Sequence, residues 1–66
     1  MAVMKVIEVM ANSDSSWEDA TRKAIKHASK SVKHMKSAFV QSQSVVINDG
    51  DVKEFRVNVK ITFEVK

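Results

Sequence analysis

The sequence contains no cysteine and no proline, and a single glycine, Gly50. Without cysteine there is neither a disulfide nor a thiolate zinc site, and a reducing cytoplasm is the expected setting. One glycine cannot build a phosphate-cradling loop. The two histidines, His27 and His34, are too few to hold a structural metal unaided. No apolar run approaches the roughly 20 residues that cross a bilayer, so no membrane association is expected. The opening stretch, Met1 to Met10, is interrupted by Lys5 and Glu8 and is not the apolar core of a signal peptide. Neither charge sign dominates. Eleven Lys and Arg stand against eight Asp and Glu, and a net charge of +3 does not call for a nucleic-acid partner.

What is present begins with the last fifteen residues, Asp51 to Val65. From Phe55 onward every second residue is large and apolar: Phe55, Val57, Val59, Ile61, Phe63 and Val65. Polar residues fill the alternate positions. A period of two with no competing helical period predicts a long strand with one buried face. Residues 2–10, AVMKVIEVM, predict another strand, rich in Val and Ile and apolar on both faces. Burial on both faces is hard to provide within 66 residues.

Residues 11–16 form a polar turn. Ser15 and Glu18 fit a capping box, with Ser15 as N-cap. Trp17, Ala20, Ala24, Ile25, Ala28, Val32 and Met35 then follow at helical spacing. They predict an amphipathic helix of about five turns ending near His34, with basic residues on its far face. Ser37 to Ile47 predict a second strand, and Asn48-Asp49-Gly50-Asp51 a hairpin into the third.

The whole chain, residues 1–66, is therefore a single domain of the α+β class. Its order is β-α-β-β, with a three-stranded antiparallel-type sheet in the order 1-3-2 and one helix on one face. Nothing in the chain covers the other face. A domain this small buries only roughly 60% of the surface its unfolded chain exposes, so self-association is the expected support.

No catalytic constellation accompanies this fold, and an enzyme is not expected. No serine elbow is present, and the histidines lie seven apart on the expected helix. Asn48, Asp49 and Asp51 read as turn residues rather than cation ligands. Arg22, Lys26, Lys30 and Lys33 form a basic stripe, but Glu18 and Asp19 dilute it and no aromatic is interleaved. Trp17, in the first helical turn, reads as a lid on the core.

Taken jointly, the β-α-β-β order, KVIEV at residues 5–9, SSWEDA at 15–20 and FRVNVKITFEV at 55–65 resemble the dodecins over essentially the whole chain. The resemblance implies a hollow homododecamer of tetrahedral symmetry, with helices outside and sheets lining the interior. It further implies binding and storage of a flavin, riboflavin or FMN, rather than catalysis. Some dodecins are associated instead with coenzyme A or cations, so a non-flavin scaffold or an ion or coenzyme A binder is the alternative. Flavin-binding members stack the ring on a tryptophan at the start of the second strand, and Ser37 matches that position here. A glutamine on the third strand that meets the flavin edge matches Arg56. The implied ligand site lies between subunits near Ser37, Gln43 and Arg56. Stacking on an aromatic is worth roughly 1–3 kcal/mol per nucleic-acid base, so Ser37 implies a flavin affinity weakened about ten- to a hundredfold or more.

Overall fold

The computed structural model describes residues 2–66. β1 spans Val3–Ser13, α1 Trp17–Ala28, β2 Met35–Asn48 and β3 Asp51–Val65. The sheet order is β1-β3-β2, with β3 antiparallel to both neighbours. This is the expected α+β topology.

β3 is central because its odd-numbered face is continuously apolar. Val57, Val59 and Ile61 are fully buried, and β1 sets Ala11, Val9 and Ile7 directly beside them. α1 lies on this face through Ala20, Ala24 and Ala28, which recur every fourth residue and are all buried. Three alanines in one row let the helix backbone approach the sheet closely. Ile25 and Trp17 flank the row and are half-buried.

The limits of β1, α1 and β2 differ from the expectations, β2 running from Met35 to Asn48 rather than from Ser37 to Ile47. β1 continues past Met10 to Ser13, because Ala11 and Ser13 keep the core-facing parity opposite Val57 and Phe55. Ser13 is only 2% exposed. Its hydroxyl oxygen accepts from the amides of Ser15 (2.9 Å) and Ser16 (3.4 Å) and donates to Oδ2 of Asp19 (2.5 Å). A buried serine with its polar atom satisfied can end a strand that composition alone reads as a turn.

The N-cap is Ser16, not Ser15. Its Oγ accepts from the amide of Asp19 at 3.0 Å, which makes Asp19 the third helical residue and leaves Glu18 exposed. Asp19 and Glu18 both lie in the first turn, where the helix dipole favours them.

α1 has 12 residues and stops at Ala28, well short of His34. Ser29 turns its hydroxyl onto the carbonyl of Lys26 at 2.6 Å, and the amides of Lys30 and Ser31 reach back only three residues. Such tightening closes a helix. His34 then takes a left-handed φ of 62° while its carbonyl accepts from the amide of Glu64 at 3.0 Å. Met35, expected on the helix, is the first residue of β2 and packs on the core.

The β2–β3 hairpin closes through Asp49 (φ 52°) and Gly50 (φ 80°), with Asn48 opposite Asp51. Two consecutive positive φ values define the type I′ turn that Asp-Gly favours. The molecule measures 51 × 19 × 14 Å. A 12-residue helix is only about 18 Å long, so it covers the middle of the sheet and leaves both ends free. At the hairpin end Ile47 and Val52 are exposed. Trp17 holds the root of this arm: its indole N–H donates to the carbonyl of Ser44 at 3.0 Å, and its ring meets Phe55 edge-on at 5.2 Å. Trp17 is thus a structural lid, as the sequence suggested.

Candidate ligand site

Among the described residues no helix lies over the even-numbered face of β3. Register places the side chains there. Ser37 of β2 lies opposite Thr62, Phe39 opposite Lys60, Ser42 opposite Asn58 and Ser44 opposite Arg56. From β1, Met4, Val6, Glu8, Met10 and Asn12 face Glu64, Thr62, Lys60, Asn58 and Arg56. Met4, Val6, Met10 and Phe39 are exposed large apolar side chains. An apolar band on one open sheet face, interleaved with charges, is the kind of surface that another molecule covers.

The three residues expected at the site do not converge within one protomer. Ser37 and Arg56 share the open face, but their cross-strand partners place them six β3 residues apart, about 20 Å along the strand. Gln43 pairs with Val57 and lies on the opposite, helix-bearing side. A ligand touching more than one of them must sit between copies of the chain. Arg56 is held in place, its Nε donating to Oδ1 of Asn12 at 3.0 Å. Ser37 also borders a cleft of about 270 Å³ at the end of α1, lined by Ile25, Met35, Lys36, Ala38 and Ile61.

Two other features carry less chemistry. A groove of about 360 Å³ between α1 and the edge of β1 is lined by Met10, Ala11, Lys23, Lys26, His27 and Lys30. Lys23 is paired there with Asp19 at 3.2 Å. Among the described residues no three His, Cys, Asp or Glu side chains come together as a metal site. Among the described residues one buried side-chain polar atom lacks a partner. Oδ1 of Asn58 is buried without a hydrogen-bond donor.

Phe39 is the residue that the sequence did not single out. It is 64% exposed, on the same face as Ser37 and two residues further along β2. Alternation could not reveal it, because β2 is bulged at Lys36 and again at Gln41. Each bulge reverses the face on which later residues fall.

The dodecin family model matches residues 3–66 of the chain. This chain belongs to the dodecin family. A calcium dodecin from Mycobacterium tuberculosis is 29% identical over 66 residues, spanning all of this chain and 93% of that protein. A single-site variant of the Thermus thermophilus dodecin superposes with a TM-score of 0.94 at 26% identity, covering all of this chain and 97% of its own. The dodecin of Streptomyces coelicolor gives a TM-score of 0.94 at 26% identity, with 98% and 93% coverage. Dodecins are small-molecule-binding proteins that self-associate, rather than a family defined by catalysis. The unpartnered sheet face of this dodecin is consistent with that habit. Among its described residues, no helix is long and apolar enough to cross a membrane.

Proposed function

We propose that this dodecin assembles into a cytoplasmic homododecamer that binds and stores a small planar molecule of the flavin type, riboflavin or FMN, between subunits. The observation that carries the reading is the open sheet face, where Met4, Val6 and Met10 of β1 are exposed and no helix among the described residues covers them. Association of such faces removes apolar area from water at roughly 25 cal/mol per Å² and encloses the remaining polar side chains, Ser37 and Arg56 among them. Ser37 stands where flavin-binding relatives are expected to carry their stacking tryptophan, so flavin affinity is moderate rather than tight. Gln43, on the other face, contributes only where a neighbouring copy brings it near the ligand.

The M. tuberculosis relative, by its name a calcium dodecin, favours a second reading in which the assembly holds cations. No protomer gathers a carboxylate cluster among its described residues, so such ions would be shared by Glu8, Glu54 or Glu64 of several copies. Titrating riboflavin and FMN with the protein, while following flavin fluorescence, separates the two. Quenching by a dodecameric species supports the flavin reading. A dodecamer that leaves flavin fluorescence unchanged and takes up calcium by calorimetry supports the cation reading.

A further inference from the structure

We propose that Phe39 is the aromatic platform of this chain, the ring against which a planar heteroaromatic ligand stacks; the inference rests on the small-molecule reading above and deepens it. Three observations converge on one small area. Phe39 is 64% exposed and takes no part in the aromatic pairing of the described residues, which joins Trp17 to Phe55 on the other side of the sheet. It is also the one aromatic that β-sheet register places on the open face, since Phe55 and Phe63 pair with Ser13 and Lys5 on the helix-bearing face.

Its surroundings are polar. Ser37 lies two residues along the same strand and Thr62 opposite Ser37, which brings two hydroxyls to one side of the ring, about 7 Å away. Lys60 stands directly across from Phe39. Diagonally across lies Asn58, whose Oδ1 is buried without a donor. A buried acceptor left unpaired costs free energy, so this part of the face is strained in the lone protomer.

A ring bordered by hydroxyls, an ammonium and an unpaired amide oxygen differs from the apolar patch of Met4, Val6 and Met10 on β1. Protein interface cores favour continuous apolar contact with few charges at the centre. The polar border of Phe39 instead complements a flat ring with hydrogen-bonding edges. Stacking on an aromatic is sequence-tolerant because it uses only the π-face, so a phenyl two residues from Ser37 can serve where an indole is missing.

The test is a riboflavin titration of the assembled protein, read by flavin fluorescence quenching, with sedimentation velocity to follow assembly. Phe39→Leu keeps apolar bulk and removes the ring. The expected result is an intact assembly whose riboflavin Kd rises about 5- to 100-fold, with Phe39→Trp binding at least as tightly as wild type. Unchanged affinity in Phe39→Leu overturns the proposal. Loss of assembly in Phe39→Leu also overturns it, because Phe39 is then a subunit contact. If wild type itself leaves riboflavin and FMN unquenched, the small-molecule reading fails and this inference with it. Wild-type binding that survives Phe39→Leu sinks only the platform.

Discussion

The Ser13 hydroxyl donates a 2.5 Å hydrogen bond to Oδ2 of Asp19, joining the end of β1 to the first turn of α1. That bond first, and Lys23 second, hold the Asp19 carboxyl below its ordinary value of 3.8. A carboxylate depressed on folding contributes stability that is present above the unfolded pKa and lost as pH falls through the folded one. Acidification below 3.8 is therefore expected to loosen the β1–α1 junction. In Ser13→Ala, and separately in Lys23→Met, the Asp19 pKa should return toward 3.8. A carboxyl-carbon NMR titration reads this directly, and an unmoved Asp19 in Ser13→Ala would refute it.

Trp17 ties α1 to the root of the β2–β3 arm by one hydrogen bond and one edge-on ring contact. Trp17→Phe keeps a ring against Phe55 and loses the bond to Ser44, a loss of about 1 kcal/mol. Trp17→Ala removes both, and the ring pair alone is worth about 0.5–1.5 kcal/mol beyond its area. Hydrogen exchange should accelerate at residues 44–55 in the order wild type, Trp17→Phe, Trp17→Ala. Equal protection in all three would mean that the arm is held elsewhere.

Gly50 has a φ of 80°, and a methyl group placed on it would meet nothing within 4 Å. Any loss in Gly50→Ala is therefore backbone strain alone, about 1–2 kcal/mol for a left-handed residue. Chemical denaturation should show that loss with an unchanged slope. A neutral substitution would show that the turn relaxes into another type at no cost.

The parts of this fold that were legible from sequence are those where a single period runs uninterrupted. β3 alternates without error from Phe55 onward, and its predicted limits, Asp51 to Val65, are the observed ones. Asp49-Gly50 announced its turn because only certain residues tolerate positive φ. The helix end was not legible, since Val32 and Met35 continue the helical spacing although Ser29 has already closed the last turn. The cap was off by one because Ser15 and Ser16 are each followed, three residues later, by an acid. The site was the least legible part. Two bulges in β2 reset which residues share a face, so neither the separation of Ser37 from Arg56 nor the outward ring of Phe39 follows from alternation.

Assembly makes a prediction of its own. The core of one protomer rests on three large buried side chains, Val57, Val59 and Ile61. Ile61→Ala is expected to cost about 2–5 kcal/mol, much of what a small domain possesses. If copies supply the remaining stability, the thermal midpoint rises with protein concentration, and dilution of Ile61→Ala unfolds it rather than releasing folded monomers. Sedimentation equilibrium with circular dichroism across a dilution series tests this. A folded monomer of wild type at low concentration would remove the case for obligatory assembly.

Ser37→Trp tests the ligand reading from the opposite direction. The residue is exposed on the open face opposite Thr62, and the larger side chain has room there within the protomer. An indole at this position adds a stacking surface worth roughly 1–3 kcal/mol, so riboflavin affinity should rise about 5- to 100-fold over wild type. Because Ser37 and Phe39 lie on one face two residues apart, the two rings are not independent. If Phe39 already carries the stack, the gain in Ser37→Trp is smaller than the gain in Ser37→Trp/Phe39→Leu over Phe39→Leu alone, since each ring then substitutes for the other. A double-mutant cycle of riboflavin Kd values measures that coupling. Strict additivity would place the two residues in separate environments and remove the ligand from one of them.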